Sequence, residues 1–342
     1  MKITVLCGGI STERDVSLVS GAQAYNALKS KGHQVVLLDA YLGYEGNAEN
    51  IFDKNIDWAE GFKISENAPD IEAVKASRKD KSPSFFGANV IEICRQSDIV
   101  FMALHGDAGE NGKIQATFDL FGIKYTGTDY FSSALAMDKA VTKKLFIDAG
   151  VRTPASHTLY SKDDAYEPLL PVVVKVCNGG SSVGVYIART EEEYKSALDE
   201  AFKYENKVLV EQYIKGREFT DAVLDGEALP VVEIAPISGF YDYKNKYQAG
   251  STIETCPAEI PTELTKEIQR LAKLAYDALG IKTYARMDFM CDENGVPFCL
   301  EANTLPGMTC TSLIPQEARA IGIEFPDLCE KIIEISFKKY QN

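Results

Sequence analysis

Two neighbouring segments near the C-terminal end of the chain carry charged and amide side chains at alternating positions. Arg286 and Asp288 differ by two in one predicted strand, and Glu301 and Asn303 differ by two in the next. Alternate residues of a strand share one face, and the DENG turn at 292–295 predicts that the two strands are antiparallel neighbours. One sheet face would then carry three oxygen-donor side chains and an arginine. Such oxygen ligands suit Mg²⁺ whose remaining ligands are phosphate oxygens and water.

A solvated sheet face with an ordinary salt bridge is the plainer alternative. It explains the charges but not their regular alternation with apolar side chains, and this alternation favours the metal site. The apolar residues, expected on the opposite face, are Met287, Phe289, Leu300 and Ala302.

A glycine- and serine-rich segment, CNGGSSVG (177–184), follows Lys175 at the end of a valine-rich predicted strand. Glycines let backbone N–H groups approach phosphate oxygens, and serines add further donors. The pattern differs from a Walker P-loop because GxxxxGK[ST] is absent and strands rather than a helix flank the turn. The motif alone leaves two alternatives open, a phosphate-binding loop and a plain flexible hairpin.

Two further motifs lie where a predicted strand gives way to a helix, which is where open α/β sheets bind ligands. They are STERDVS (11–17) and HGDAGENG (105–112). His105 could hydrogen-bond a carboxylate, and the helix N-terminus favours an anion. The alternatives are a histidine that only caps the loop and, for Glu13, a first-turn acid after an N-cap at Ser11 or Thr12.

Three more segments carry weaker signals. A strand end that presents the carboxylates of Glu211 and Glu218 with apolar Tyr213 and Ile214 could hold an adenine and a ribose. A strand end with a capping glutamate is the commoner explanation. The loop GFYDYKNKYQAG (239–250) has the composition of a lid. The segment LPGMTCTSL (305–313) could supply an oxyanion site and a carboxylate anchor.

The elements that must position these residues begin with a strand, a glycine turn, a helix and a second strand. This βαβ order, followed by a third apolar run at Ile99–Leu104, predicts a parallel sheet and an α/β fold class. Residues 41–82 are polar and predict an excursion that is partly ordered by Ile51, Phe52, Trp58 and Phe62. From residue 127 onward the pattern is α+β, with predicted helices at 131–149, 191–202 and 264–279 and predicted strands at 171–176, 185–188, 208–212, 218–224, 228–236, 283–290 and 296–302.

The composition narrows the possible functions. The chain has 342 residues, which suggests two or three domains at about 150 residues each. A formal charge of −14 argues against nucleic acid or an anionic membrane as the main partner. The eight cysteines form no CxxC and the three histidines are not clustered, so a zinc site or disulfide framework is not expected. A reducing cytoplasm fits this cysteine usage.

Taken in order, these motifs resemble those of D-alanine–D-alanine ligases of the ATP-grasp superfamily. The resemblance spans nearly the whole chain, although the excursion at 41–97 carries none of it. The motifs are STERDVS (11–17), HGDAGENG (105–112), SSALAMDK (132–139), the 175–184 segment, VEQYIKGREF (210–219), FYDYKNKY (240–247), ARMDF (285–289) and EANTLPGMTCTSL (301–313).

The resemblance implies a three-domain ATP-grasp architecture: a Rossmann-like domain with a parallel sheet (1–126), a central domain (127–215) and a C-terminal domain (216–342). ATP would lie between the central and C-terminal sheets. The implied reaction joins two D-alanines through a D-alanyl phosphate, for peptidoglycan precursor synthesis. The resemblance also implies two Mg²⁺ (or Mn²⁺) ions, a homodimer and a cytoplasmic location, with no nucleic-acid or membrane partner.

The resemblance also implies roles for individual residues. Glu13 would hold the first ammonium, and Ser181 and Tyr247 would bond to it and close the lid. Arg286 and the Gly307 backbone would stabilise the tetrahedral intermediate. The substrate-binding residues would be His105, Ser312 and Leu313. The ATP-binding residues would be Lys139, Lys175, Glu211, Gln212, Tyr213, Ile214, Glu218 and Lys246. The metal ligands would be Asp288, Glu301 and Asn303.

Two positions depart from the family pattern. The histidine motif usually ends GEDG, but here Asn111 replaces the acid. A proline usually follows the lysine of the grasp loop, but here Val176 does. Tyr247 together with Leu313 favours D-alanine as second substrate over D-serine or D-lactate. The other alternative is an ATP-binding regulator without catalysis, and the retention of Arg286 and the metal ligands argues against it.

Overall fold

The computed structural model describes residues 1–59, 69–164, 166–180, 184–237 and 251–341. The chain folds into two compact units, and each is described by itself. Unit 1 comprises Met1–Ser133, Lys282–Tyr284 and Thr304–Asn342, and unit 2 comprises Ala134–Ile281 and Ala285–Asn303. Most of the predicted central and C-terminal domains lies within unit 2, so their separation at residue 216 stays a prediction. None of the helices in the described ranges is long and apolar enough to cross a membrane.

The sheet of unit 1 is parallel, as the βαβ pattern predicts. Its strands are β1 (Lys2–Cys7), β2 (Gln34–Asp39) and β3 (Ile99–Met102), in the order β2-β1-β3. Helix α1 (Arg14–Ser30) makes the crossover from β1 to β2. The sheet therefore presents the carboxyl ends of β1 and β3 side by side, at the STERDVS and HGDAGENG motifs.

The first half of helix α1 buries small residues in preference to its larger apolar ones. Val16 and Val19 are only half-buried, whereas small residues such as Ser17 and Ser20 are fully buried. The reason is close packing: a Cβ added at Gly21 would lie 2.6 Å from the Cys7 Cβ atom. Small side chains let the helix approach the sheet, and the larger valines stay at the edge.

The remaining elements of unit 1 surround this sheet. Of the predicted excursion, Ile51 and Phe52 are buried and the Trp58 ring packs edge-on against Tyr44, while Phe62 lies outside the described residues. The other elements are a 3₁₀ helix (Ile51–Asp53), α2 (Ile71–Ser77), α3 (Val90–Arg95), α4 (Asp107–Glu110) and α5 (Lys113–Phe121), and near the C-terminal end α10 (Leu313–Ala320), α11 (Phe325–Phe337) and a second 3₁₀ helix (Lys338–Tyr340).

The predicted helix at 131–149 is two helices, α6 (Tyr130–Met137) and α7 (Lys139–Asp148). The break falls at Asp138, whose carboxylate accepts hydrogen bonds from the backbone N–H groups of Ala140 and Val141. An aspartate at an N-cap satisfies the first free N–H groups of a helix and starts it. The break gives Lys139 the first position of the new helix.

The first sheet of unit 2 is antiparallel, in the order β4-β7-β5-β6. Its strands are β4 (Ser156–Leu159), β5 (Val172–Val176), β6 (Val185–Ala188) and β7 (Val208–Gln212), and α8 (Glu191–Ala201) packs on it. The predicted hairpin around the glycine- and serine-rich segment is confirmed as the β5–β6 pair.

The second sheet of unit 2 has the strand order β11-β10-β8-β12-β13, with β9 paired to β8. The predicted strand at 228–236 is interrupted because Pro230 has no N–H to donate to a ladder. The elements are β8 (Gly216–Leu224), β9 (Glu227–Ala228), β10 (Val232–Pro236), β11 (Thr252–Thr255), α9 (Thr262–Ala278), β12 (Tyr284–Asp292) and β13 (Pro297–Asn303).

The antiparallel pairing of β12 and β13 is confirmed, with one irregularity. Asp288 pairs with Glu301, but Phe289 pairs with Cys299, so Leu300 is an extra residue in a β-bulge. A bulge turns a side chain that simple alternation would place on the other face. Leu300 accordingly lines the same cavity as Glu301, and its predicted place on the apolar face is wrong. Met287 and Phe289 do enter the apolar core.

Candidate active site

The two sheets of unit 2 enclose a cavity of about 440 Å³. It brings together residues that the sequence places far apart. The predicted ATP-binding residues that line it are Lys139, Lys175, Glu211, Gln212, Tyr213, Ile214 and Glu218. The predicted metal ligands Asp288 and Glu301 line it as well. Lys246 lies outside the described residues.

Apolar side chains form facing walls of this cavity. Val185 and Ile187 come from β6, and Met290 and Leu300 come from β12 and β13. The sequence analysis assigned none of these residues to the site, although the i, i+2 spacing of Val185 and Ile187 places them on one face. An apolar slot with charged groups along it suits a planar base joined to a phosphate chain.

Glu211 sits in a buried ion-pair cluster. Its Oε2 atom lies 2.6 Å from the Lys175 ammonium and its Oε1 atom 2.7 Å from the Lys143 ammonium. Burial by itself would raise the pKa of Glu211, but the two ammonium groups outweigh burial and lower the pKa. Burial would lower the pKa of Lys175, and the Glu211 carboxylate outweighs it and raises the pKa. Lys143 was not among the predicted site residues.

Asp288 is held by donors from three strands. Arg286 donates to both of its oxygens, at 2.9 and 2.8 Å, and Asn303 Nδ2 donates at 3.0 Å. The Thr220 hydroxyl donates to Oδ1 at 2.7 Å. Thr220 was not predicted, because only the β8–β12 pairing brings it beside Asp288. The four residues that were expected on one sheet face, including Glu301 opposite Asp288, are therefore brought together.

Lys139 joins the glycine-rich loop to the opposite sheet. Its ammonium donates to the Gly179 carbonyl at 2.8 Å and lies 3.1 Å from the Glu301 carboxylate. Each acidic metal candidate is therefore paired with a cation, Glu301 with Lys139 and Asp288 with Arg286. Lysine and arginine are also the residue types that commonly bind phosphate.

The donor set fits Mg²⁺. Asp288 and Glu301 offer carboxylate oxygens from directly opposed positions, and Asn303 adds an amide. In the described ranges no cluster of three or more His, Cys, Asp or Glu side chains forms a metal cage. Proteins usually hold Mg²⁺ by one or two carboxylates and substrate phosphates rather than by a complete protein cage.

The base of the glycine-rich loop is closed by a hydrogen bond that a proline could not make. The Val176 N–H donates to the Gly184 carbonyl at 3.1 Å. Gly184 has φ +75°, and a Cβ there would lie 2.7 Å from a Val176 methyl carbon. The valine that departs from the family pattern thus lengthens the β5–β6 hairpin by one bond. Ser181 lies outside the described residues.

In unit 1, the ends of β1 and β3 bring Glu13 to the histidine motif. A Cβ added at Gly106 would lie 2.9 Å from the Glu13 carboxylate, so the glycine makes room for it. Glu13 itself occupies the N-cap of α1, and its side chain makes no capping bond. The expectation of an N-cap at Ser11 or Thr12 is wrong; the Ser11 hydroxyl instead donates to the His105 carbonyl at 2.7 Å.

Arg14 fixes the turn that carries Glu13. Its guanidinium donates to the Gly9 carbonyl and to the Asp39 carboxylate, each at 2.5 Å, and both charged groups are buried. A Cβ at Gly8 would lie 2.4 Å from Asp39, and Gly8 has φ +74°. The pair was missed because Arg14 reads as a surface helix residue, whereas its partner ends the next strand.

His105 is buried and both of its ring nitrogens have partners within unit 1. Nδ1 lies 2.9 Å from the Leu305 carbonyl, so it carries the proton, and Nε2 lies 2.8 Å from the Ser20 hydroxyl. The Met308 N–H donates to the same Ser20 oxygen at 3.3 Å. These bonds fix both sides of Gly307. His105 and Ser20 thus bind the loop on either side of Gly307.

The other predicted substrate residues start helix α10. Ser312 is its N-cap residue, and the Ser312 hydroxyl oxygen accepts the Thr309 N–H at 3.1 Å. Leu313, the first helical residue, is buried. Tyr247, the predicted lid residue, lies outside the described residues.

Asn111 has a local role in place of the usual acid. Its Nδ2 group donates to the Asp107 carboxylate at 2.9 Å, and its Oδ1 atom accepts the Lys113 N–H at 3.0 Å. An aspartate would keep the second bond but would repel Asp107. The loss of charge is therefore compensated within the loop.

Comparisons with known proteins agree with this geometry. The family models described as "D-ala D-ala ligase N-terminus" and "D-ala D-ala ligase C-terminus" match residues 2–128 and 154–334. A D-alanine–D-alanine ligase of Pediococcus pentosaceus is 43% identical over 341 residues, 97% of each chain. One of Halalkalibacterium halodurans is 37% identical over 99% of this chain and all of its own.

Solved structures show the same likeness. A D-alanine–D-alanine ligase from Bacillus anthracis, in complex with ATP, has a TM-score of 0.77 at 30% identity and matches over the whole of both chains. The VanG D-Ala:D-Ser ligase of Enterococcus faecalis has a TM-score of 0.75 at 31% identity, over 98% of this chain and 99% of that one. The fold is that of the ATP-grasp ligases. Two family models match most of the chain, and a relative that covers 97% of it is 43% identical, so this chain belongs to the D-alanine–D-alanine ligase family.

Proposed function

We propose that this chain joins two D-alanines to D-alanyl-D-alanine, with cleavage of ATP to ADP and phosphate, as a step in peptidoglycan precursor synthesis. The observation that carries the proposal is the cavity of unit 2, where cations and opposed carboxylates converge between two sheets. The names of the relatives support the same activity. The Bacillus anthracis ligase holds ATP, which supports ATP as the nucleotide here.

The chemistry has two steps. An oxygen of the first D-alanine's carboxylate attacks the γ-phosphorus, the bond to ADP breaks, and D-alanyl phosphate forms. The amine of the second D-alanine then attacks the acyl carbon, loses a proton and expels phosphate. Phosphoryl transfer depends mainly on positioning and charge neutralisation. Lys139 and Lys175 supply fixed positive charge, and Lys246 is proposed to add a third cation.

Asp288, Glu301 and Asn303 are proposed to hold Mg²⁺ or Mn²⁺, as two ions. The metal neutralises charge on the phosphates when it is bound. Arg286, which Asp288 orients through two hydrogen bonds, is proposed to stabilise the negative charge of the tetrahedral intermediate.

The apolar slot and the adjacent polar groups are proposed to bind the nucleoside. Ile214 and Leu300 would contact the adenine, and Glu218 the ribose. Gln212 and Tyr213 line the same cavity. Glu211 is proposed to hold Lys175 in position rather than to face the nucleotide alone, since both of its oxygens are paired with ammonium groups.

The amino-acid substrates are proposed to use residues of unit 1. Glu13 would bind the ammonium of the first D-alanine, and His105 its carboxylate or the loop beside it. The Gly307 N–H would donate to the oxyanion. Ser312 would anchor the second carboxylate, with Leu313 beside it.

Several further points are proposals that rest on family membership. Ser181 and Tyr247 would bond to Glu13 and close a lid over the substrates. The three domains would divide at residues 127 and 216. A homodimer and a cytoplasmic location are proposed as well, the latter because ATP is the nucleotide and the eight cysteines are free thiols.

The activity is tested by ATP-dependent phosphate release with D-alanine alone and with D-alanine plus D-serine or D-lactate. D-Serine is the second candidate because the VanG structure is a D-Ala:D-Ser ligase. We expect the highest kcat/KM with D-alanine. A clear preference for D-serine or D-lactate would refute the proposed specificity, and no turnover with any of them would favour the inactive regulator.

A further inference from the structure

Lys143, on the inner side of helix α7, is a buried cation with no assigned part in the site. Its side chain is 2% exposed. The ammonium lies 2.7 Å from Glu211 and donates to the Thr153 hydroxyl at 2.6 Å and to the Pro154 carbonyl at 3.3 Å. A buried lysine is rare unless it is paired. Here the pairing partner, Glu211, is itself a wall of the nucleotide cavity.

The cluster carries one more positive charge than its pairing needs. Glu211 forms ion pairs with two ammonium groups, Lys143 and Lys175. Glu301 and Glu218 act on Lys175 without a direct ion pair in the described residues. Lys175 lines the cavity and retains 11% exposure, whereas Lys143 is not among the cavity-lining residues. Lys143 therefore holds its charge behind the cavity wall, and Lys175 is the group that faces an incoming ligand.

We propose that Lys143 is a positioning residue for nucleotide phosphates, acting through Glu211 on Lys175. Lys143 holds one Glu211 oxygen, so that only the other oxygen is left for Lys175. Lys175 is therefore paired with one Glu211 oxygen rather than two, and Glu211 neutralises less of the charge that Lys175 presents to the cavity. The inference deepens the proposed function, since it assumes that the cavity binds a nucleotide.

Removal of the Lys143 charge changes this balance. In Lys143→Met, Glu211 and Lys175 form a one-to-one pair, and both carboxylate oxygens can turn to the same ammonium group. The attraction for phosphates then falls, whereas contacts with the base and the ribose are unchanged. The expected signature is a selective loss of affinity for phosphorylated ligands.

A purely structural role would give a different signature. The bonds to Thr153 and Pro154 tie α7 to the segment before β4, so their loss would lower thermal stability. A loosened cavity wall would weaken the binding of adenosine and the binding of ADP to the same degree. The ratio of the two affinities therefore separates the two roles.

The test is isothermal titration calorimetry of ADP and of adenosine, with Mg²⁺ present, on the full chain. Lys144→Met is the matched control, because Lys144 is the next residue on the same helix and is exposed. In Lys143→Met we expect ADP to bind about tenfold more weakly, the loss of one charge interaction, while adenosine changes by less than about twofold. Lys144→Met should match the wild type for both ligands.

Equal weakening of both ligands, or unchanged ADP affinity, would overturn the inference. If Lys143→Met does not fold, Lys143→Gln removes the same charge and keeps a donor for Thr153. The ratio of the ADP and adenosine affinities of that variant then distinguishes the two roles. Lys143→Arg should restore most of the ADP affinity. A wild-type chain that binds no ADP would instead refute the proposed nucleotide site, so the two failures are distinguishable.

Discussion

Asp221 is a buried carboxyl group whose removal should stabilise the protein. It lies on β8 with 0% exposure, on the same strand face as Phe219 and Val223, which belong to the apolar core. Neither carboxyl oxygen has a hydrogen-bond partner among the residues that the structure describes. Burial raises the pKa of Asp221 well above its ordinary value, because the buried site disfavours the charged carboxylate. Leucine has the same branched shape, and Asp221→Leu is the substitution that removes only the polarity.

The expected magnitude has two parts. A buried polar group without a partner costs about 1–3 kcal/mol, so the variant should gain roughly 2 kcal/mol at pH 5. Above the ordinary pKa of 3.8, the unfolded chain releases the proton that the folded chain keeps. The wild type therefore loses about 1.4 kcal/mol of stability per pH unit relative to the variant, until the raised folded pKa is reached. The advantage should therefore be larger at pH 7 than at pH 5.

The measurement is urea unfolding at pH 5, 6 and 7, followed by circular dichroism. Asp148→Leu is the control, because Asp148 is an exposed carboxylate, and its effect should stay within about 0.5 kcal/mol. Ligase turnover should be retained, since Thr220 and Glu218 point to the other face of β8. A destabilised Asp221→Leu variant, or an advantage that does not grow with pH, would show that the carboxyl group has a partner and would refute the reasoning.

Four further predictions concern the site. Glu301→Gln removes a metal charge, so turnover should fall at least about tenfold and half-maximal activity should need more Mg²⁺; near wild-type turnover at low Mg²⁺ would contradict the metal assignment. Val176→Pro removes one bond at the loop base, so KM for ATP should rise with kcat less affected, and an unchanged KM would count against it. Ser20→Ala should raise KM for D-alanine and lower stability by about 1–3 kcal/mol, measured by kinetics and urea unfolding, whereas unaltered kinetics would separate the 305–308 loop from substrate binding. Burial raises the pKa of Cys177 to about 12, so at pH 8 a maleimide should label exposed Cys310 far faster, and rapid labelling of Cys177 by mass spectrometry would be inconsistent with its burial.

The parts of the fold that follow a local period could be predicted from the sequence. The spacing of Asp288 and Glu301 predicts two strands with their charges on one face, and the observed register confirms it. The parallel sheet follows from the βαβ order in the same way. Leu300 was misplaced because a bulge adds a residue without leaving a mark in the hydrophobic pattern.

The other contacts of the site form between segments that are far apart in the sequence and pack together in the fold. Lys143 and Thr220 read as ordinary helix and strand residues, and only the packing of α7 and the pairing of β8 with β12 bring them to Glu211 and Asp288. In α1, likewise, packing against the sheet buries Ser17 while Val16 stays half-buried, which the apolar pattern alone does not indicate. Long-range proximity of this kind has no local signal.

The central claim, ligation through D-alanyl phosphate, is tested most directly by isotope transfer. D-Alanine labelled with ¹⁸O in its carboxylate is incubated with ATP, Mg²⁺ and the enzyme, and the phosphate released is examined by mass spectrometry. The carboxylate oxygen that attacks the γ-phosphorus leaves with the phosphate. One phosphate should therefore be released for each D-alanyl-D-alanine formed, and each phosphate should carry one labelled oxygen. Unlabelled phosphate, or labelled phosphate without dipeptide, would contradict the account.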